Sequence, residues 1–480
     1  MGMNRAINRV FFVGALLFVA LIVNLTYLQV IRAGKLRNDP ENSRQIAQEM
    51  RIRRGSILGF DGSVIAGIRK ESGFYTRTYP QGAVAPQVVG YNSVRYGRSG
   101  IELSMNDYLI GRSNDLGAQG LADKVLGRRP RGATVRLTLV PAVQRAAQDA
   151  LSGLHGAIVA LDPSTGAVIA AASAPSYAPA DLEQDWKQLS RDRSAPLLSR
   201  VTQGLYPPGS SFKVVTATAG LETGKVQPLT SFDDTGTYVV YGGKVTNYGG
   251  EIYGRHSFTQ ALTNSVNTTF AKVGVLVGQE QMISSMQDFG FWETPPLELP
   301  QGQVLPSGRY KAGRLLPTDA PMDPLAVAWM SVGQERLVST PLQMALVAAG
   351  VANGGQVARP YLVYEVKDHE GQVVYSAQPA TWTTAMDAQT ARTLNLMMQQ
   401  VVNAGTGTAA ALQGIQVAGK TGTAEKGDSN VAWFIAFAPA ISPRIAVAVT
   451  IEDTALTGGD VAAPLAAKVI SAALAQADLP

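Results

Sequence analysis

A serine placed three residues before a lysine, in Ser210-Ser211-Phe212-Lys213, is where this 480-residue chain could do covalent chemistry. Pro207, Pro208 and Gly209 come just before it and mark a turn after which a helix can begin. Phe212, Val215 and Ala219 recur at helical spacing and give that helix a buried face. Ser210 then occupies a first turn, where unpaired N–H groups and the positive end of the helix dipole favour a developing oxyanion. Lys213 lies one turn on, on the same face. A desolvated lysine has a lowered pKa and can take a serine proton. Taken alone, an N-cap serine beside a surface lysine is the better explanation of the same residues.

Two further motifs follow in the chain. Ser265-Val266-Asn267 sits inside a helical pattern over 257–274, with Phe258, Ala261, Leu262, Val266, Phe270 and Val273 on one face. Lys420-Thr421-Gly422-Thr423 reads as a strand, in which Gly419 and Gly422 suit close backbone approach by a ligand. No other serine has a lysine three residues on, and there is no second Lys-Thr-Gly. Each motif alone reads as a helix groove or an edge strand.

Composition narrows the chemistry. The chain has no cysteine, which excludes a thiol nucleophile, disulfides and every cysteine zinc site. Its histidines are His155, His256 and His369, none paired at His-x-x-x-His spacing, so neither a metal nor a cofactor is expected. Net charge is +5 without a Lys/Arg run or basic-aromatic stripe, which argues against nucleic acid as a partner.

The elements that must position these residues follow from periodicity. Residues 10–31 are apolar and long enough to span a bilayer as a single transmembrane helix, after a short N-terminal segment 1–9. Basic residues flank both ends, so charge alone does not orient it. Residues 34–53 are polar and helical in pattern. Phe60-Asp61-Gly62 reads as a turn between strands at 56–58 and 63–66, and a helix opens at Gly100-Ile101-Glu102. We read 32–140 as a small irregular α+β module. From 141 to 480 the pattern gives a helix at 141–154, a hairpin 157–172 turning at Pro163-Ser164-Thr165-Gly166, and helices at 279–291, 341–352, 387–402 and 463–475. Residues 293–322 read as loop, 357–375 as paired strands, and 431–438 and 444–451 as strands. The fold class is α+β: an antiparallel sheet with helices packed on it.

The motif trio, in this order, resembles the Ser-x-x-Lys, Ser-x-Asn and Lys-Thr-Gly set of penicillin-binding proteins and serine β-lactamases. The segments 156–174, 331–334, 340–355 and 433–439 look like a penicillin-binding transpeptidase domain. Arg54-Gly55-Ser56-Ile57 and Gly100-Ile101-Glu102 look like the pedestal of the class B, monofunctional enzymes. The compact size is most similar to the actinobacterial penicillin-binding protein A group. Relatives commonly carry Asp-Arg where this chain has Gly59-Phe60.

That resemblance implies a membrane-anchored peptidoglycan D,D-transpeptidase, with its catalytic domain on the extracytoplasmic side. Ser210 would attack a stem peptide ending in D-Ala-D-Ala, Lys213 would act as base, and Ser265 would relay a proton. Asn267 would hold the peptide amide and Lys420 would supply positive charge. Thr421, Gly422 and Thr423 would bind substrate, and the backbone N–H groups of Ser210 and Thr423 would form the oxyanion hole. β-Lactams would acylate the same serine, and a membrane-embedded glycosyltransferase partner is implied by the family alone. A D,D-carboxypeptidase or β-lactamase on this fold, and a non-catalytic β-lactam sensor or scaffold, are the alternatives.

Overall fold

The computed structural model describes residues 2–27, 43–116, 130–426 and 429–480. Helix α1 (Gly2–Thr26) contains Ile7–Thr26, 20 residues of mean hydropathy 2.2, none of them buried, long and apolar enough to cross a membrane. The helix begins ahead of the expected 10–31 because Arg5 and Arg9 are good helix formers and do not interrupt it. Residues 28–31 lie outside the described residues. So does much of the expected helix 34–53, of which the described part is helical at Ser43–Glu49.

The expected hairpin about Phe60-Asp61-Gly62 is present. Strand β1 (Ile57–Leu58) pairs antiparallel with β2 (Val64–Glu71), Ile57 opposite Ala66, and Asp61 Oδ1 accepts from the Ser63 N–H at 3.0 Å to close the turn. Strands β3 (Phe74–Thr78) and β4 (Thr134–Leu137) extend the sheet, β4 running parallel to β1. Its far side is completed by the hairpin Val363–Lys367 and Val373–Ser376, with Val366 opposite Val135.

Arg54 and Glu102, read from the sequence as parts of one module, meet in its interior. Arg54 Nε donates to Glu102 Oε2 at 2.8 Å, Arg77 Nη2 donates to the same oxygen at 3.2 Å, and Arg54 Nη1 reaches Asn106 Oδ1 at 2.6 Å. Burial pushes the Glu102 carboxyl up, but the two guanidinium groups outweigh it and hold it below the usual range. Glu102→Ala would strand two buried cations. Loss of about 3–5 kcal/mol is expected, read by urea unfolding at pH 7. The Glu102 contribution is present above the unfolded carboxylate pKa and fades as pH falls through the lowered folded value.

At Gly59-Phe60 the Arg136 guanidinium lies 4.9 Å over the Phe60 ring, and its Nε donates to the Phe60 carbonyl at 2.8 Å. A Cβ at Gly59 would come within 2.6 Å of Pro141 Cγ, so the start of the next region leaves room only for glycine.

That region opens with α2 (Pro141–Ala150), then the hairpin β5 (Gly156–Leu161) and β6 (Val168–Ala174). Helices α3 (Lys213–Glu222), α4 (Phe258–Thr263), α5 (Asn267–Val277), α6 (Pro341–Ala352) and α7 (Ala388–Ala404) follow. The chain closes with β7 (Ala418–Lys426), β8 (Ser429–Ala438), β9 (Ile445–Thr454) and α8 (Ala463–Leu474). The sheet runs β7-β8-β9-β5-β6 with every pair antiparallel. Both of its faces are covered, so its strands read as continuous apolar runs. Trp433, Ile435, Phe437, Ala446 and Val159 join α3, α5, α6 and α7 in one core. The alternate residues Phe434, Ala436, Val447 and Ile158 join α2 and α8 in the other.

Two expectations fail locally. Residues 293–322 are not all loop: Gly308–Lys311 forms a short hairpin with Arg314–Leu315, and also pairs with the distant Leu337–Val338. The helix expected over 257–274 is two helices. Ser257 belongs to a strand and caps α4 through a capping box with Gln260. The chain then breaks between Thr263 and Asn267, within the Ser265 motif.

Candidate active site

Pro207 and Pro208 lead into a single 3₁₀ turn, Gly209–Phe212, and α3 starts only at Lys213. Ser210 thus sits in a tighter turn than the α-helical one expected. Side chains three apart eclipse in a 3₁₀ turn, which sets Lys213 over Ser210. The turn is held from several sides. The Trp433 indole N–H donates to the Pro207 carbonyl at 2.9 Å, and Ser211 Oγ donates to the Pro208 carbonyl at 2.6 Å. The Gly209 N–H donates to Gly333 O at 3.0 Å, with Gly209 at φ +53° and no room for a Cβ against Thr423 O, 2.8 Å away. Phe212 is fully buried, its ring edge-on to Phe291 at 5.9 Å.

Ser265 occupies the break between α4 and α5 at φ +60°. The left-handed region costs a non-glycine residue about 1–3 kcal/mol and is kept only where the surroundings over-determine it. Here the Ser265 N–H donates to Leu262 O at 3.2 Å and the Val266 N–H to Ala261 O at 2.9 Å. The break exposes the Ser265 carbonyl as well as its hydroxyl to Lys213. Lys213 Nζ donates to Ser265 O at 2.6 Å and to Asn267 Oδ1 at 2.7 Å, and lies 3.2 Å from Ser265 Oγ. The Asn267 amide is oriented by its own Nδ2–H, which donates to Thr246 O at 2.9 Å.

Lys420 enters from β7. Its Nζ donates to Ser265 Oγ at 2.9 Å and to Thr421 O at 2.9 Å. Both lysines are fully buried. Burial, then the Lys420 charge, push the Lys213 ammonium far below the ordinary lysine range. Burial lowers Lys420 to about 7. Ser265 Oγ is therefore the one hydroxyl shared by two depressed amines, and it can accept from one while donating to the other. Among the described residues no hydrogen bond joins the Ser210 hydroxyl to either lysine.

The β7 backbone closes the arrangement. A Cβ at Gly422 would lie 2.8 Å from Pro208 O and 2.9 Å from the Ser211 nitrogen, so only glycine lets the strand approach the nucleophile turn this closely. Thr421 Oγ1 and Thr406 Oγ1 are 2.5 Å apart, and Thr423 Oγ1 accepts from the Gly458 N–H at 3.2 Å. A cleft of about 660 Å³ runs over Ser210, Ser265, Asn267, Thr421 and Thr423, with Lys213, Lys420 and Gly422 behind its lining. All the expected site residues thus converge on one place, and none of the three histidines lines the cleft. Thr406, Thr246, Glu251, Tyr253, Gln334 and Gly459 also belong to the site. Thr246 ends a strand, Gly459 lies in a helical turn and the rest come from loops; the 331–334 segment and the Gly405-Thr406-Gly407 run after α7 are their only sequence signals.

Residues 156–471 match the penicillin-binding protein transpeptidase domain, and residues 54–135 match the penicillin-binding protein A dimerisation domain. The chain belongs to the penicillin-binding transpeptidase family. It is similar to the peptidoglycan D,D-transpeptidase PbpA of Mycolicibacterium smegmatis, 36% identical over 98% of this chain and 99% of that protein. It is 34% identical to PbpA of Mycobacterium tuberculosis over 98% of this chain and 99% of that one. Among solved structures, the ceftriaxone acyl-enzyme of penicillin-binding protein A from M. tuberculosis superposes with a TM-score of 0.81 at 33% identity, covering 89% of this chain and 99% of that one. A D,D-transpeptidase domain from Eggerthella lenta gives a TM-score of 0.79 at 37% identity, over 88% of this chain and 98% of that domain. The likeness to class B proteins of the penicillin-binding protein A type therefore extends through the pedestal as well as the catalytic region.

Proposed function

We propose that this protein is a peptidoglycan D,D-transpeptidase and a target of β-lactams, acting through an acyl-enzyme on Ser210. The observation that carries this is the Lys213 geometry. An unprotonated amine has two N–H donors and one lone pair. Ser265 O and Asn267 Oδ1 can only accept, so they take the two donors. The lone pair is left for a hydroxyl: Ser265 Oγ lies 3.2 Å away, and Ser210, one turn away, is the hydroxyl that would use it during the reaction.

As Ser210 Oγ bonds to the carbonyl carbon of the penultimate D-Ala, its proton passes to Lys213 Nζ. The N–H groups of Ser210 and Thr423 receive the oxyanion. The C–N bond to the terminal D-Ala breaks, and the proton moves through Ser265 Oγ to the leaving amine. The Lys420 charge and the Thr421 and Thr423 hydroxyls hold the substrate carboxylate, with Gly422 admitting the peptide to the strand. An amine of a neighbouring stem peptide then attacks the ester, frees Ser210 and makes the cross-link. The chemistry needs no metal or cofactor.

Residues 1–9 lie in the cytoplasm on this reading, and the first helix anchors a pedestal (32–140) and a catalytic domain (141–480) on the extracytoplasmic side. There a membrane-embedded glycosyltransferase would supply glycan strands. The deciding experiment is intact mass after incubating the full chain in detergent with penicillin G. A stable one-to-one adduct on Ser210, absent from Ser210→Ala, is the expected result. Rapid release of penicilloate would favour a β-lactamase, and no adduct at all would favour a scaffold.

A further inference from the structure

Between α3 and α4 the chain makes an excursion, residues 231–257, that forms one wall of the cleft. Strand Ser231–Asp234 pairs with Gly254–Ser257, Asp234 opposite Gly254, and the hairpin Thr237–Thr246 falls between them in sequence. Thr246, Asn247, Glu251 and Tyr253 line the cleft. This wall is tied to the catalytic region by a buried carboxylate that the reaction does not use. Asp234 Oδ1 accepts from the Gly236 N–H at 3.0 Å and from Thr268 Oγ1 at 2.6 Å. Its Oδ2 accepts from Asn247 Nδ2 and from the Tyr253 N–H, both at 2.8 Å. Burial pushes Asp234 up, but these four donors outweigh it and hold the carboxyl below its usual range. An ionised carboxylate offers acceptor sites for all four; an amide of the same shape does not.

Three of the donors belong to the wall. The fourth, Thr268, belongs to the first turn of α5 and follows Asn267 directly. Asn247 makes a second tie to the same residue, its Oδ1 accepting from the Thr268 N–H at 3.1 Å. Beside these ties, Asn267 Nδ2 donates to Thr246 O at 2.9 Å. That bond decides which end of the Asn267 amide faces Lys213. With the nitrogen on Thr246 O, the oxygen accepts from Lys213 Nζ at 2.7 Å. Turned over, the amide would offer its N–H groups to Nζ and occupy the lone pair that must receive the Ser210 proton.

We propose that Asp234 is a positioning residue for acylation: it clamps residues 246–253 to the first turn of α5, so that Thr246 O keeps the Asn267 oxygen, and not its nitrogen, toward Lys213. This role rests on the reading of Lys213 as the base of a transpeptidase. Asp234 itself touches neither the substrate nor the reacting atoms and takes no part in the proton transfers.

The test uses the full chain in detergent and the rate of acylation by penicillin G, followed by quenched-flow intact mass. Asp234→Asn sets an amide nitrogen against two of the four donors. It should slow acylation about tenfold at neutral pH, as the fraction of molecules with a competent base falls to about a tenth. Added to Asn267→Ala it should cost nothing further, because the side chain it acts through is gone. The acid limb of the rate profile, which reports Lys213, should move to lower pH, since an ammonium facing the Asn267 nitrogen has lost an acceptor. Lys420 and the Phe270 ring, which also face Lys213, are unchanged. Thr268→Val should reproduce these losses, and Thr268→Ser, which keeps the hydroxyl, should not; that pair decides the matter if Asp234→Asn does not fold. The proposal is overturned by an Asp234→Asn enzyme that acylates like wild type, by losses that multiply in the double variant, or by an acid limb moved to higher pH as water enters a loosened site. If Lys213→Met acylates normally, the base reading fails and takes this role with it, an outcome distinct from a slow Lys213→Met beside a normal Asp234→Asn.

Discussion

Lys213→Met is expected to slow acylation by penicillin about 10²–10⁴-fold at neutral pH, the range that a positioned general base supplies. Methionine keeps the length and burial of the side chain, so the loss reports the amine and not a cavity. The Ser265 carbonyl and Asn267 Oδ1 lose their donor, yet the nucleophile turn keeps its bonds to Trp433 and Gly333. Stopped-flow acylation checks the rate, and stability against pH checks the cause. Below the unfolded lysine value of 10.5 the unfolded chain binds a proton that buried Lys213 does not. Wild-type stability therefore rises with pH from the folded Lys213 value up to about 10.5. Lys213→Met should flatten that rise. An unchanged acylation rate would remove Lys213 from the mechanism.

Lys420 sets the second large effect. Its pKa of about 7 means that its charge fades just above neutrality in the free enzyme. Acylation by a penicillin, which carries a carboxylate, should climb as Lys213 loses its proton. It should then fall roughly tenfold for each pH unit above the Lys420 value, and the second-order rate constant reports these free-enzyme groups. Lys420→Arg retains charge across the accessible range. Its planar fork fits Ser265 less well and lowers the peak, but the falling limb should be gone. A wild-type profile flat to about pH 9 would show that the carboxylate is held without Lys420.

The candidate catalytic residues were legible because each is part of a short motif. Ser210, Lys213, Ser265, Asn267 and Lys420 were picked out by the motif set and its family resemblance; the last four are joined by hydrogen bonds and Ser210 lines the same cleft. Their local backbone was less legible. Phe258, Ala261, Val266 and Phe270 keep helical period across the break at Ser265 because both short helices bury against the same core. Periodicity reports the shared core and is blind to the positive φ of Ser265, whose hydroxyl meets Lys213 and Lys420 from elsewhere in the chain. Thr406 and Gly458 reach Thr421 and Thr423 only through tertiary packing; the glycines about Thr406 suit a close approach but do not say to what. Pro341–Ala352 was read without error, since a proline at its first turn and Asn353 at its end are local signals.

The hairpin Val363–Ser376 has a consequence for how the molecule comes apart. It leaves the catalytic region, hydrogen-bonds along β4 and supplies two strands of the pedestal sheet. Removing the pedestal would bare Val363 and Val366, now fully buried, together with a row of unpaired peptide groups, a template for aggregation. Stalk and catalytic body are thus a single cooperative unit, in which neither boundary of a matched family marks a place where the chain can be cut. Force entering the pedestal sheet is carried into the catalytic region through the backbone hydrogen bonds between β4 and Val363–Lys367.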